Sequence, residues 1–547
     1  MAAFHTVVGP GGAWLLAVLC ALAASSCGSP QLGVQPDYVG PEIGGPKEAV
    51  QPEAAPKPVE PAPAPEEAKP PPEPISVGLT EAVLTALANN QALVVEKLNT
   101  PIIRTFEEQE RAAFDPDLTA GYSYQNERTR SSGDPDFART AGHNLQVDAT
   151  QFLPTGTTVD VGASTELQGN TLTGSSFYAS RVGLTVTQAL LRGYGMDVNL
   201  ASLGQARLDT LSSQYELRGF AQDLVARAEE TYWDYALAQR EIQIFEDSLK
   251  LAGQQLTETN ERIAVGVLAD LDRAASEAEV ASRREDLITA RSTLDRTRLQ
   301  FLRLLNPAKP DYWARDVTIE TPPVAPAVTL ENVGDHVQVA LRLRPDLNQA
   351  RLLVERNDLE LVRTKNGLLP RMDLFVTLGK TGYANSFGGS WGNLGDKGYE
   401  LLVGVNVEYP PLNRDARARH QRAMLSRRQA FEAVDNVAQL VEVDVRTAYI
   451  LFNEAREQVA ATAATRHFQE EKVRAEMEKF HVGKSTTLLV AQAQRDLLQS
   501  QIAEVEAVIA SLKSLVEFYR LDGSLLARRG IACPGAEPVE MSRAMRP

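Results

Sequence analysis

The chain has 547 residues, 43% of them hydrophobic, and a formal net charge of −16. The length admits several domains and the hydrophobic share is ordinary for a packed protein, while an acidic chain lacks the basic stripe expected of a nucleic-acid surface. With only Cys20, Cys27 and Cys533, of which Cys20 lies in the leader described next, a disulfide framework or a cysteine metal cluster in the folded body is excluded.

Residues 13–26 form an apolar run, Ala-Trp-Leu-Leu-Ala-Val-Leu-Cys-Ala-Leu-Ala-Ala-Ser-Ser, too short to span a bilayer and ending in small residues, which reads as a signal peptide over 1–26. Leu22-Ala-Ala-Ser-Ser-Cys27 resembles a bacterial lipobox, which implies a lipid on Cys27; cleavage near Ser26 without lipid is the alternative, and His5 stands where a leader ordinarily carries Lys or Arg. Residues 27–78 form the lipid-anchor region and a tether, dominated from about Gln35 to Pro74 by Pro, Ala, Glu and Lys, a composition that cannot bury a core and tends to extended conformers.

The folded body is predicted to start at Leu79-Thr-Glu-Ala-Val-Leu-Thr-Ala-Leu-Ala-Asn-Asn, whose Ala82, Val83, Ala86, Leu87 and Leu93 share a helical face, and the helical pattern stops before Pro116. The period then changes to two. Leu118, Ala120, Tyr122 and Tyr124, then Leu145, Val147 and Ala149, then Val159, Val161, Ala163 and Leu167, then Val182, Leu184 and Val186 alternate with small polar or charged residues, giving four strands over about 117–190. Long polar connections near 128–142 and 169–178 alternate with the short Leu153-Pro-Thr-Gly156, which favours a membrane barrel over a soluble sandwich.

Gln188-Ala-Leu-Leu-Arg-Gly-Tyr-Gly195 re-aims the chain into a long helical arm from about Val198. Tyr235, Ala238, Ile242, Phe245, Leu249, Ala252, Leu256, Thr259 and Ile263 recur at alternating three- and four-residue steps, a coiled-coil seam. It reverses at Val265-Gly266, and Val280, Leu287, Ala290, Leu294 and Phe301 carry the returning arm, separated by charged positions such as Arg283 and Arg296, to Asn306-Pro307. One arm approaching 60 residues would be roughly 90 Å long.

After a Pro- and Val-rich linker over 308–328 the plan repeats over 329–525. A helix carries Val337, Ala340, Leu341 and Leu347; strands follow within about 372–409 around a Gly-rich loop at 381–398; then come an exit at Tyr409-Pro-Pro-Leu-Asn-Arg-Asp415, an arm to His481, a turn at Val482-Gly483 and a return to about Leu521. Such a duplication outweighs any single motif. The tail, 526–547, shows no pattern.

In this order, the Leu-Thr-Glu-Ala-Val opening, the Gln-x-Leu-Leu-Arg-Gly exit and the two Val-Gly turns resemble the TolC-like outer-membrane efflux proteins, the outer-membrane factor family, over roughly residues 79–525. The resemblance implies an α+β membrane protein: a homotrimer sharing one outer-membrane β-barrel continuous with a long periplasmic α-helical coiled-coil barrel. It further implies a passive exit duct for efflux or type I secretion, docked by a periplasmic adaptor (membrane fusion protein) and driven by an inner-membrane pump. Four strands in the first half and two in the second predict either about eighteen strands per trimer or an extra hairpin packed at the periplasmic rim.

No enzyme is expected, and no cofactor. The six histidines have no pair at metal-binding spacing, and no phosphate-cradling loop occurs. The resemblance puts adaptor docking and the gate at the two turns: Arg262, Val265, Gly266, Val267, Leu268, Asp270 and Asp272 around the first, and His481, Val482, Gly483, Lys484, Ser485, Thr486, Leu488, Leu489 and Gln492 around the second. Glycine there also answers a purely structural need at a helix end, and the apolar tip residues either dock a partner or pack on neighbouring helices.

Relatives commonly carry acidic residues where this chain has Leu489 and Gln492, while Asp272 holds the matching place in the first half; a hydrophobic constriction is therefore expected. Asp148, Asp160, Glu166, Asp373 and Glu400 are expected to face the lumen, either keeping it wet or biasing passage electrostatically, with outer-membrane lipid as a partner and no nucleic acid. The competing readings are a non-conducting lipid-anchored coiled-coil scaffold, which leaves the β blocks unexplained, and a periplasmic adaptor, which would bracket one hairpin with soluble β domains.

Overall fold

The computed structural model describes residues 74–130, 137–170, 175–266, 268–306, 312–313, 315–330 and 332–540. The leader, Cys27, nearly all of the tether and Val267 lie outside the described residues.

The body opens earlier than the sequence suggests, with strand β1 (Ile75–Val77), followed by helices α1 (Leu79–Asn89) and α2 (Gln91–Ala112). Asn90 breaks the two helices apart and caps the second, its side-chain oxygen accepting from the Ala92 and Leu93 amides at 3.0 and 3.2 Å. Four strands follow: β2 (Asp117–Arg130), β3 (Phe137–Leu153), β4 (Thr157–Asn170) and β5 (Ser175–Ala189). They run further into the two polar connections than the alternation alone indicates.

At the exit from β5, Gly193 and Gly195 adopt φ of 88° and 103°, and the Asn199 amide donates to the Pro154 and Gly193 carbonyls at 3.0 and 2.9 Å. This ties the exit to the short β3–β4 turn, where Gly156 also has positive φ. The chain then enters α3 (Met196–Asn199), the 64-residue α4 (Ala201–Ala264) and the returning α5 (Asp270–Leu305). Part of the predicted seam is buried, namely Tyr235, Ala238, Ala252, Thr259, Val280, Leu287, Ala290 and Phe301, whereas Ile242, Phe245, Leu249, Leu256, Ile263 and Leu294 are half-buried. Arg283, one of the charged positions between the seam residues, is buried and paired with Glu279 at 2.5 Å and Asp286 at 3.3 Å.

The supposed linker holds β6 (Val317–Ile319), which pairs in parallel with β1. The second repeat then runs α6 (Val333–Leu343), α7 (Pro345–Asn366), β7 (Arg371–Ala384), a short helix α8 (Phe387–Gly392) inside the Gly-rich loop, β8 (Glu400–Glu408), α9 (Arg414–His481) and α10 (Thr487–Leu521). The tail is described as far as residue 540. It forms α11 (Leu525–Arg528) and then lies along the body, with Tyr215 donating to the Glu537 carbonyl and Arg351 to the Val539 carbonyl.

The six long strands form one antiparallel sheet in the order β2-β3-β4-β5-β7-β8. The additional first-half hairpin therefore lies in the sheet and is not packed at its rim. Within the chain, β2 and β8 are open edges. Among the described residues one core joins the two repeats in the helical part through Val225, Ala340, Val445, Phe452 and Phe518; another, centred on Ala86, Tyr232, Trp233, Phe301 and Val317, lies mainly in the first repeat, and a smaller one, Leu347, Val354, Ala430 and Val434, lies in the second. Among the described residues no helix is long and apolar enough to cross a membrane.

Candidate functional site

The strand register separates the sheet into two chemically distinct faces. One row crosses all six strands as Leu118, Ala149, Val161, Leu184, Leu378 and Leu401; the adjacent row, on the other face, is Thr119, Asp148, Gly162, Gly183, Gly379 and Glu400. The apolar face is unpacked: Leu118, Leu145, Val161, Leu378 and Leu401 are exposed, and Val403 is 58% exposed. A soluble sandwich would bury this face.

Asp148, Asp160, Glu166, Asp373 and Glu400 all fall on the opposite face. Several of these charges are compensated. Glu400 pairs with Arg181 at 2.7 Å, Asp373 is buried against Arg371 at 2.7 Å, and Asp160 accepts from the Thr150 hydroxyl at 2.7 Å. That face is consequently polar without a strong acidic field.

At the far end of the helices the two hairpin tips are joined. Gly266 and Gly483 adopt φ of 81° and 74°, so each turn needs a residue free to enter the left-handed region. After α9 the Lys484 amide donates to the Lys479 carbonyl at 2.7 Å and the Gly483 amide to Phe480 at 3.0 Å, the paired bonds of a Schellman motif. Arg262 reaches from the first tip to the second: it donates to the Phe480 carbonyl at 3.1 Å, lies 4.3 Å from the centre of the Phe480 ring, and pairs with Glu258 at 2.7 Å. His481 Nδ1 completes the cluster, 3.0 Å from Arg262 and 3.2 Å from Glu258.

Arg262 and His481 were singled out by their nearness to the turns; Glu258 and Phe480 were not. The i,i+4 spacing of Glu258 and Arg262 was the available signal for the former, whereas Phe480 meets Arg262 across 218 residues.

The other tip candidates divide into capping and surface residues. Asp272 turns back to accept from the Ala269 amide at 3.3 Å, Asp270 pairs with Arg273 at 3.3 Å, and the Thr486 hydroxyl accepts from the Leu489 amide at 3.4 Å. Ser485 donates to Glu476 at 2.9 Å, and Lys484 is exposed. Gln492 donates to Asp496 at 2.9 Å, and Lys472, 2.6 Å from Asp496, holds that carboxyl below its ordinary pKa. Asp496 was missed. Val265, Val482, Leu488 and Leu489 are exposed, as is Leu271, while Leu268 is half-buried. This resolves the packing alternative within one chain: these apolar groups lie at the surface.

Residues 336–524, nearly the whole second repeat, match the family model described as outer membrane efflux protein. The second repeat is similar to outer-membrane efflux proteins. The resemblance of the chain to the TolC-like outer-membrane efflux proteins is thereby shown, and solved structures share its fold along most of the length. The outer-membrane channel OprN is 17% identical, covering 81% of this chain and 89% of its own, with a TM-score of 0.62. The outer membrane protein VceC of Vibrio cholerae is 15% identical over 81% of this chain and 96% of its own, with a TM-score of 0.60. The Neisseria gonorrhoeae MtrE outer membrane channel, solved in its open state, is 17% identical over 82% of this chain and 89% of its own, at 0.58. Identities this low make the likeness one of fold. Among curated proteins, none matches by sequence.

Proposed function

We propose that three copies of this efflux-family chain form one outer-membrane duct, a passive exit for small molecules or secreted protein in a tripartite efflux or type I secretion system. The observation that carries this reading is the open six-stranded sheet with an exposed apolar face and unpaired edges at β2 and β8. In lipid an open edge leaves backbone groups unsatisfied, so the sheet has to close. Three copies joined edge to edge give about eighteen strands, enough to surround an aqueous lumen lined by the polar face.

Other exposed surfaces suit the same assembly. Val94, Val95, Leu98, Ile102 and Phe106 of α2, and Leu440 and Val443 of α9, offer apolar contacts to neighbouring copies. At the tips, Val265, Leu271, Val482, Leu488 and Leu489 suit a periplasmic adaptor helix hairpin, whose binding would separate the tips. With leucine in place of a carboxylate at 489, closure would work by dewetting. An inner-membrane pump supplies the energy, and a lipid on Cys27 with the tether behind it anchors the chain at the outer membrane.

The test is planar-bilayer conductance of the purified full chain, with its oligomeric mass measured on the same sample. A conducting trimer supports the duct. A monomer, or a folded trimer that stays silent after substitutions at both tips, supports a non-conducting anchored scaffold instead.

A further inference from the structure

At the end of the sheet remote from the helices, the apolar face stops abruptly. Along β7 the residues on that face are Met372, Leu374, Val376, Leu378, then Lys380 and Gly382. From Met372 to Lys380 is about 26 Å along an extended strand, close to the height of a lipid-facing band.

Directly above Lys380 the face is covered by α8 and the turn after it. Ser390 is fully buried, its hydroxyl 2.7 Å from that of Ser180, which is itself 3.0 Å from the Thr165 hydroxyl. A side chain at Gly382 would collide with the Ser390 carbonyl and the Leu394 amide, so glycine is what lets the helix lie flat on the strand. Asn393 donates to the Tyr383 carbonyl at 2.8 Å, and the Phe387 ring meets Tyr178 edge-on at 6.2 Å. The outer side of this segment carries two aromatic rings: Phe387 is 49% exposed and stands 6.4 Å from the half-buried Trp391, whose indole Nε1 is turned inward without a hydrogen-bond partner.

We infer that α8 is an interfacial anchor, seated on the outside of the barrel with Phe387 and Trp391 in the headgroup–acyl boundary of the outer leaflet and Lys380 just beneath, reaching up to lipid phosphate. The inference rests on the barrel reading given above. The placement of α8 identifies the occupant. It covers the outer face of the β5–β7 pair, two strands already joined within one chain, whereas a second copy would join edge to edge through the backbones of β2 and β8; and it lies on the face of Leu378 and Val403, whereas a loop folded into the lumen would lie on the face of Asp148 and Glu400. Lipid is what remains. Aromatic side chains favour that depth, and a lysine at the margin of an apolar band extends its ammonium to the polar layer.

The experiment uses the full chain in vesicles whose phosphatidylcholine is brominated either near the glycerol backbone or near the bilayer centre, with soluble iodide as the aqueous quencher. The fluorescence that wild type has and Trp391→Phe lacks is expected to fall by roughly half with the shallow bromines, and far less with the deep bromines or iodide. A Trp391→Phe, Val403→Trp double variant is read alongside and should be quenched best by the deep bromines. If the indole placed at 403 is quenched by lipid while that of Trp391 responds only to iodide, the barrel stands and the anchor is overturned. If neither responds to brominated lipid, both readings fall.

Discussion

Gly483 ends α9 with φ of 74°, and a Cβ built there meets nothing within 4 Å. The demand for glycine is therefore one of backbone conformation and not of space. Gly483→Ala is expected to cost about 1–2 kcal/mol, the price of the left-handed conformation for an ordinary residue, and Gly483→Asn distinctly less; denaturant midpoints of the two variants check the order. Arg262 is the complementary case, because its work is done across the tips. Removing it with Arg262→Ala leaves Phe480 without its bridge to Glu258 and only His481 joining the tips, so single-channel recordings should show more frequent opening without loss of the folded trimer. The turns were legible from Val-Gly and the helical period around them. Their partners were not, since nothing in the local pattern at 258–262 indicates which ring 218 residues later will lie beneath the guanidinium.

At the scale of elements, the long helices and strands could be read because each carries its own periodicity, while β1, β6 and the tail could not. Three-residue strands have no period to detect, and β1 finds β6 some 240 residues away, with Ile75 opposite Val317. The tail is held by polar contacts invisible in sequence: Glu229 of α4 is fully buried and accepts from Arg529 at 2.6 Å.

Burial is the main influence on the Glu229 carboxyl and raises its pKa, with Arg529 opposing. The folded state thus holds this proton more tightly than the unfolded chain, so the carboxyl favours folding below its unfolded pKa, and that contribution is lost as the pH rises through the folded value. Arg529→Ala leaves the charge unpaired and should cost about 3 kcal/mol near neutrality, the lower part of the range for a broken buried pair because Arg529 is partly exposed. The deficit should shrink as the pH is lowered through the raised pKa of Glu229, and should be smaller at neutral pH in a background carrying Glu229→Gln; thermal melts across pH measure both.

For the molecule as a whole, the duplication was legible and the closure was not, since a single chain presents only an open sheet with two chemically different faces. Those faces make opposite predictions. Val403 lies near the middle of the apolar face, beside Val376, and Thr377 one residue along β7 points to the polar face beside Thr185. If lipid covers the first face, Val403→Arg should cost about 2–4 kcal/mol and deplete the folded trimer in bilayers. Thr377→Arg should preserve the trimer and shift its ion selectivity toward anions, because that side chain enters the lumen. Were the sheet exposed to water, Val403→Arg would change stability by no more than about 0.5 kcal/mol, as for an ordinary surface substitution. Reconstitution yield and reversal potential, measured on the same pair of variants, separate the two cases: only a closed barrel makes one face intolerant of a charge and the other face selective because of it.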